Sequence, residues 1–379
     1  TPPVLNVLDF SCFLNQFAAG CPCPRRRPKE RFVPHRPAPL NFCSAALTLA
    51  AGAALADDWT NSGGNAGRNG QSSEIGPDAA TVLWATGRPS IIAWQPVTMG
   101  SRIFMVRQSG FPPEPSSNLS PVIAMDLETG AELWPRNITF NTGDWTTWIA
   151  GARDGKVYAS RSGGGGNVYP PPNGQARMYA LNEATGADVW ISQGMTAAGP
   201  YDGVVFAPNG DLVIGDFVQL TRIRAIDGST AWQVPRIGSV SGSCGAALNA
   251  GANAVYVADA AAGGTVIKRF DLDTGAFRYA SPVMVGFTAQ NTPFVSPDGT
   301  VYFSRTQNNT NTDFLYAFTD TGSALTQRWS VPAGWTTTSE YAVAPDNSVY
   351  MVAPGYPIQR LDPLTGSTLA TSTVIVNSY

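Results

Sequence analysis

The chain has 379 residues, of which 43% are hydrophobic and only 13% are charged, so it can bury a large core. The 39 glycines and 30 prolines indicate many turns. Six basic and two acidic residues precede residue 57, which leaves 18 basic and 25 acidic residues, a net charge of −7, for the rest. Because nucleic-acid affinity depends on clustered Lys and Arg, this balance argues against a nucleic-acid partner.

Residues 1–39 are rich in Pro and Arg and contain no periodic apolar pattern. Such a segment buries too little apolar surface to offset the entropy of ordering. The first methionine of the chain is Met99. We therefore expect residues 1–39 to be a disordered or a spurious N-terminal extension.

Residues 40–56 form an uncharged apolar run of 17 residues, LNFCSAALTLAAGAALA, with basic residues upstream. The run ends in Ala54-Leu55-Ala56, the small-x-small pattern of a signal-peptidase site. We predict a signal peptide here and an exported product, periplasmic or secreted. A transmembrane anchor is the alternative, but the run is short for one. No other apolar stretch approaches spanning length, so we expect no membrane span.

A short motif recurs after residue 56, as in MDLETGAELW (125–134), LNEATGADVW (181–190) and FDLDTGAFRY (270–279). Four copies place Asp or Asn four residues before the glycine, where a short acceptor side chain can hydrogen-bond the turn's own backbone. The motif therefore predicts a tight reversal between two strands. Its glycines recur every 42 to 56 residues, a period typical of propellers and solenoids; they are Gly130, Gly186, Gly228, Gly275, Gly322 and Gly366.

A second turn signal precedes each copy, for example ARDGKVYAS, PNGDLVIGD and PDGTVYFSR. Each is a Gly/Asn/Asp turn followed by a run that alternates apolar and polar residues, which is typical of a hairpin. One unit therefore contains four antiparallel strands and no helix-period segment, which is one propeller blade. We predict an all-β fold in which residues 57–379 form a single β-propeller of four-stranded antiparallel blades, with six blades favoured over seven or eight.

Aromatic residues mark the fourth strand of most units. The tryptophans at this position are Trp134, Trp190, Trp232 and Trp329, while the fourth unit has Tyr279 and the sixth has only Ala370. Trp84, in TVLWAT, stands in register as a further fourth-strand residue. We predict that this N-terminal strand closes the ring, because closure removes exposed sheet edges.

From TVLWAT to the end, the units resemble the pyrroloquinoline-quinone-type repeat of quinoprotein-like β-propellers. In that family, the alanine before the Asp and the tryptophan after the Gly pack one blade against the next. The resemblance implies a structural role for the repeated residues here. It also implies pyrroloquinoline quinone with calcium as an alternative cofactor, although family alcohol dehydrogenases carry a vicinal cysteine pair over the quinone and no two cysteines are adjacent in this chain. We expect no cofactor and no metal.

The catalytic inventory after residue 56 is small. The only histidine of the chain is His35, upstream of the predicted cleavage site, so Ser-His-Asp catalysis and histidine metal sites are excluded for the mature domain. The acids Asp211, Asp216, Asp271 and Asp273 could form a paired-acid or calcium site. Most of these acids sit at repeated turn positions, which favours a structural role, and we predict no catalytic residue.

The loops between the second and third strands are long in the first two units, RQSGFPPEPSSNLS and SRSGGGGNVYPPPNGQA. In propellers such loops share one rim with the starts of the innermost strands, and loops on a rigid scaffold commonly carry binding. Polar and aromatic residues near those starts are the candidate ligand contacts: Trp145, Trp148, Trp335, Gln290, Asn291 and Glu340. For Trp148, the alternative to a ligand contact is a position in the hydrophobic core.

These patterns favour an exported, non-catalytic propeller that binds a protein, glycan or cell-envelope partner on the long-loop rim. An exported enzyme of quinoprotein or carboxylate type is the second hypothesis. A structural module of a larger surface protein is the third.

The signal-peptide assignment predicts that the exported protein begins at Asp57. Intact-mass measurement of the exported material should give the mass of residues 57–379. Material that still carries residues 25–56 would contradict the assignment.

Overall fold

The structure is a computed structural model that describes residues 58–74, 81–86, 96–107, 121–138, 146–162, 176–196, 203–215, 219–237, 245–286, 292–306, 313–334, 341–352 and 356–375. Within these ranges, every regular element except one 3₁₀ turn, Ala250–Ala252, is a β-strand. No helix in them has the length and apolar character that crossing a membrane requires.

The strands form six antiparallel sheets, each built from four strands that neighbour one another in chain order, and we number these blades 1 to 6. Blade 1 contains β1 (Val97–Met99), β2 (Arg102–Val106), β3 (Val122–Asp126) and β4 (Glu132–Arg136). Blade 2 contains β5 (Thr146–Arg153), β6 (Lys156–Ser162), β7 (Ala176–Asn182) and β8 (Asp188–Thr196). Blade 3 contains β9 (Val205–Phe206), β10 (Leu212–Gly215), β11 (Gln219–Ile223) and β12 (Thr230–Pro235).

The second half of the chain repeats this arrangement. Blade 4 contains β13 (Ala247–Asn249), β14 (Ala254–Ala261), β15 (Gly264–Asp271) and β16 (Phe277–Ala280), and a short strand β17 (Met284–Val285) also pairs with β15. Blade 5 contains β18 (Phe294–Val295), β19 (Val301–Thr306), β20 (Asp313–Asp320) and β21 (Leu325–Gly334). Blade 6 contains β22 (Tyr341–Val343), β23 (Val349–Met351), β24 (Pro357–Leu361) and β25 (Thr368–Ile375). The predicted all-β fold of six four-stranded antiparallel blades is confirmed.

The D-x-x-T-G turn between the third and fourth strands is held by the side chain at its first position. In blade 1, Oδ1 of Asp126 accepts hydrogen bonds from the backbone N and the hydroxyl of Thr129, at 2.8 and 2.7 Å. Gly130 follows with a φ of 68°, a left-handed conformation that favours glycine. Asn182 makes the same contacts with Thr185 in blade 2. The position therefore requires an acceptor oxygen rather than a negative charge.

Tryptophan side chains link the turns of successive blades. In the described part of the chain, five indoles each lie against a motif glycine, and each Nε1 donates a hydrogen bond of 2.9 or 3.0 Å to a backbone carbonyl beside that turn. The pairs are Trp84 with Gly130, Trp134 with Gly186, Trp190 with Gly228, Trp232 with Gly275, and Trp329 with Gly366. A Cβ added at these glycines would lie 2.4 to 2.8 Å from the nearest indole atom, so the contact requires glycine.

The hydrophobic core lies between neighbouring blades. Phe104 of blade 1 belongs to the same cluster as Ile149 of blade 2, and a shared cluster likewise joins each later pair of blades up to blade 6. Blade 6 and blade 1 each have one face that shares no cluster with another blade. Each of these faces has its own hydrophobic cluster, and Trp84 packs against the cluster of blade 1. Blade 6 has its own fourth strand, β25, and residues 81–86 form no strand. Closure of the ring by the N-terminal strand therefore stays a prediction.

Trp84→Ala should destabilise the fold, because it removes the indole that covers Gly130 and the hydrogen bond to the carbonyl of Leu127. Loss of a large aromatic contact costs about 3 kcal/mol, and the free energy of unfolding from denaturant titration should fall by about that amount. The matched control is Leu83→Ala, since Leu83 is 72% exposed next to it. Equal midpoints for the two variants would mean that Trp84 does not hold blade 1.

Candidate functional site

Five of the six predicted rim residues, Trp145, Trp335, Gln290, Asn291 and Glu340, lie outside the described residues, as do Asp216 and most of the two long loops. Their binding roles stay predictions. The strands that these segments connect end on one face of the fold, opposite the D-x-x-T-G turns. This face is the predicted rim.

Trp148 is the sixth predicted rim residue, and it lies in β5 with only 2% of its surface exposed. Its side chain belongs to the cluster between blades 2 and 3, together with Tyr158 and Phe206. This is the core position named above as its alternative. Its Nε1 has no hydrogen-bond partner in the described part of the chain.

The carboxylates considered for paired-acid chemistry have basic partners. Asp271 pairs with Arg278 at 2.8 Å, and the hydrogen bond from Arg278 lowers the pKa of Asp271 to about 2. Asp211 lies 2.9 Å from Arg222, and Asp273 lies 3.4 Å from the same guanidinium. These ion pairs belong to the turns of blades 3 and 4 and favour the structural role.

The feature that sequence reasoning missed is residues 58–74, which we call the axial segment. It lies among the first strands of the blades, the inner strands. It hydrogen-bonds to five of them and, through Arg68, to Gly203, which lies just before the sixth, β9. An inner strand pairs with only one neighbour in its own sheet, so its other edge carries unpaired backbone groups. The axial segment supplies partners for that edge.

Backbone pairing with the axial segment follows the blade order. Thr98 N of blade 1 donates to Trp59 O at 3.0 Å, and Ala152 N of blade 2 donates to Thr60 O at 2.8 Å. Further along, the carbonyls of Ala66, Gly67 and Asn69 accept from three inner-strand amides at 2.9, 2.7 and 2.8 Å; these amides are Leu248 of blade 4, Val295 of blade 5 and Val343 of blade 6.

Arg68 completes the set by reaching blade 3. Its guanidinium donates to three carbonyls: that of Gly203, just before β9 of blade 3, at 3.0 Å, that of Ala246, just before β13 of blade 4, at 2.7 Å, and that of Ser62 at 2.8 Å. The residue is 7% exposed and has a φ of 53°, a left-handed conformation that its contacts hold in place. One buried arginine thus ties two blades to the axial segment.

A signal for this segment was present in the sequence. NSGGNAGRNG, residues 61–70, is dominated by Gly and Asn, which adopt left-handed conformations most readily. Positive φ angles do occur at Gly63, Gly64, Arg68 and Gly70. Such a composition at the start of a domain is typical of a linker. The residues that it contacts are too distant in sequence for local patterns to predict the contacts.

The junction between blades 4 and 5 departs from the tryptophan pattern. Tyr279 pairs across the sheet with Arg269, at the register of the tryptophans, and donates its hydroxyl to Asp320 of blade 5. A Cβ added to Gly322 would meet no atom within 4 Å. A cavity of about 340 Å³ opens here, which we call the blade 4/5 cleft; it is lined by Asn249, Ala252, Arg269, Asp298, Gly299, Thr300, Thr319, Asp320, Gly322 and Arg328.

Asp320 organises one wall of this cleft. It accepts hydrogen bonds from the hydroxyls of Tyr256 and Tyr279, and it lies 3.1 Å from Nε of Arg269. Burial alone would raise the pKa of Asp320, but the two tyrosine hydrogen bonds and the Arg269 charge hold it below its ordinary value. Burial and the Asp320 contact raise the pKa of Tyr279 to about 12. The wall is therefore a neutral ion pair with two protonated tyrosines.

A family profile described as outer membrane protein assembly factor BamB matches residues 119–372. The chain belongs to this family. The match covers blades 2 to 6 and part of blade 1, and it confirms the resemblance to quinoprotein-type repeats.

Solved structures agree on the fold. BamB from Moraxella catarrhalis has a TM-score of 0.51 and 16% identity, over 75% of this chain and 77% of that one. A europium-containing methanol dehydrogenase has a TM-score of 0.51 and 12% identity, over 74% of this chain and 68% of that one. Identities this low show a shared fold alone. No curated protein sequence matches this chain.

One feature of family alcohol dehydrogenases, the vicinal cysteine pair over the quinone, has no counterpart in this chain. Cys244 is the only cysteine after residue 56, so a vicinal pair is absent from the sequence. In the described ranges, no three His, Cys, Asp or Glu side chains come close enough together to hold a metal ion.

Arg68→Met should destabilise the fold, because it removes the guanidinium donors of three carbonyls, two of them in buried hydrogen bonds. The penalty for such unpaired groups is about 3 kcal/mol, and the midpoint of denaturant unfolding should fall accordingly. Arg224→Met is the matched control, since Arg224 is an exposed arginine that bonds only to its own turn. If Arg68→Met unfolds at the midpoint of the control, the axial segment does not hold the blades together.

Proposed function

We propose that this chain is an exported, non-catalytic propeller that acts as a binding scaffold for a protein partner. Membership of the BamB family supports both a protein partner and export, because the family's description concerns assembly in the outer membrane. The alternative is a quinone-dependent or carboxylate-based exported enzyme, a possibility kept open by the fold shared with a methanol dehydrogenase.

The axial segment is the observation that carries this proposal. Its backbone and the guanidinium of Arg68 hydrogen-bond along the inner side of all six blades. The chain itself therefore supplies partners for the inner edges of the blades. This rigid centre suits a protein that presents its faces to a partner.

The residue inventory supports the same conclusion. No histidine follows His35 in the sequence, and the carboxylates Asp211 and Asp271 are paired with arginines. A general base needs a titratable group near neutral pH within reach of a substrate. Asp271, with a pKa of about 2, does not meet that requirement.

We place the partner on the long-loop rim, with Trp145 and Trp335 as anchors. A tryptophan among polar residues offers a flat apolar face with one polar edge, which suits a protein loop or a sugar. Both residues fall outside the fourth-strand register, so the packing of blades does not require them.

The test is cross-linking of the full chain in the cell envelope, followed by mass spectrometry of the cross-linked partner. Trp145→Ala and Trp335→Ala should each reduce the yield of the partner at least fivefold while the melting temperature stays near that of the parent. Ile226→Ala is the control, because Ile226 is 82% exposed on the opposite, turn-bearing face. Equal yields of cross-linked partner for the rim and control variants would contradict the rim assignment.

The enzyme alternative has its own readout. The full chain is incubated with pyrroloquinoline quinone and calcium, and dye-coupled oxidation of primary alcohols is followed. We expect no turnover above that of quinone and calcium alone. Quinone-dependent turnover would overturn the scaffold proposal whatever the cross-linking gives.

A further inference from the structure

The blade 4/5 cleft contains an arginine, Arg328, that its surroundings hold in place without an ion pair. Nε of Arg328 donates to the hydroxyl of Thr319 at 3.1 Å, and Nη1 donates to the hydroxyl of Thr300 at 3.2 Å and to Pro363 O at 3.3 Å. Across the described ranges, Nη2 makes no hydrogen bond and no carboxylate lies within ion-pair distance of this guanidinium. The guanidinium is thus held in one orientation and keeps the N–H donors of Nη2 for a ligand.

Asp298 supplies the opposite charge in the same cleft. Its Oδ1 accepts from the hydroxyl of Ser296 and from Thr300 N, the latter at 3.0 Å. Asp298 forms no ion pair with Arg328. Burial would raise the pKa of Asp298, but hydrogen bonds from Ser296 and Thr300 and the charge of Arg328 hold it below its ordinary value, so the group is ionised at neutral pH.

The cleft therefore offers a fixed cation and a fixed anion that do not contact each other. A ligand that satisfies both needs an anionic group for Arg328 and an N–H donor for Asp298. The two N–H donors that remain on Arg328, both on Nη2, can bind an anionic oxygen such as that of a carboxylate. The volume of about 340 Å³ lies at the small end of ligand sites.

We propose that the blade 4/5 cleft binds a ligand that carries a carboxylate and an N–H donor a few ångströms apart, with the carboxylate on Arg328 and the N–H on Asp298. Two sources have this chemistry, a free α-amino acid and the C-terminal residue of a peptide. The site lies on the face of the D-x-x-T-G turns and does not depend on the rim assignment.

Three probes separate these sources. L-Alanine carries a carboxylate and an ammonium group, N-acetyl-L-alanine mimics a peptide C-terminus, and N-acetyl-L-alanine methylamide lacks the carboxylate. Saturation-transfer NMR on the full chain should give saturable binding of at least one carboxylate probe, with the methylamide at least tenfold weaker. Tighter binding of L-alanine identifies a free amino acid, whereas tighter binding of the acetylated probe identifies a chain end.

Two variants test the assigned contacts. Arg328→Gln should weaken the bound carboxylate probe at least tenfold. Asp298→Asn keeps an oxygen for Ser296 and Thr300 but removes the charge, so it should weaken L-alanine more than N-acetyl-L-alanine. Arg224→Gln is the control, because Arg224 is exposed at the blade 3 turn, whose glycine is covered by Trp190.

The proposal is overturned if no carboxylate probe shows saturable binding up to 50 mM, on the order of the weakest specific small-molecule sites. It is also overturned if the methylamide binds as well as the acid, or if Arg328→Gln binds like Arg224→Gln. Should Arg328→Gln fail to fold, unchanged affinities in Asp298→Asn would count against the site by themselves.

Discussion

The inner strands impose the constraint on which the rest of this fold depends. Each has a free edge whose N–H and C=O groups lie at the buried centre, and such groups must find partners. Residues 58–74 provide such partners. Their backbone carbonyls accept from blades 1, 2, 4, 5 and 6, from Thr98 to Val343, and the Arg68 guanidinium donates to Gly203 just before blade 3. A segment with little regular structure of its own therefore sets where the blades lie relative to one another.

The contact of tryptophan with glycine is the second element of the architecture. Except at Trp84, it is made by the fourth, outer strand of a blade rather than by the inner strand. Where it is kept, an indole fills the space above the glycine and ties one turn to the next blade. Where Tyr279 replaces the tryptophan, Asp320 and Arg269 take over the link through charge and hydrogen bonds. Space is left over Gly322 at this junction, where the cleft opens.

The repeat could be predicted from sequence because its chemistry is local. Asp126, Thr129 and Gly130 interact within five residues, and the same pattern, with Asp or Asn first, occurs in four of the six units. The axial segment could not, because Asn69 meets Val295 across 226 residues of chain. Trp148 shows a third limit, since its polar neighbours suggested a surface while the alternation of its strand buries it. Tyr279 in place of a tryptophan was visible in the sequence, but only the structure shows that no described side chain covers Gly322.

Hydrogen exchange of the inner-strand amides tests the central role of the axial segment most directly. The amides of Ala152, Leu248, Val295 and Val343 donate to it and to no neighbouring strand edge. If the axial segment organises the blades, these four amides exchange only through global unfolding, at one common free energy. Exchange of these amides at the rate of the exposed D-x-x-T-G turns, while strand amides within the blades stay protected, would contradict the account.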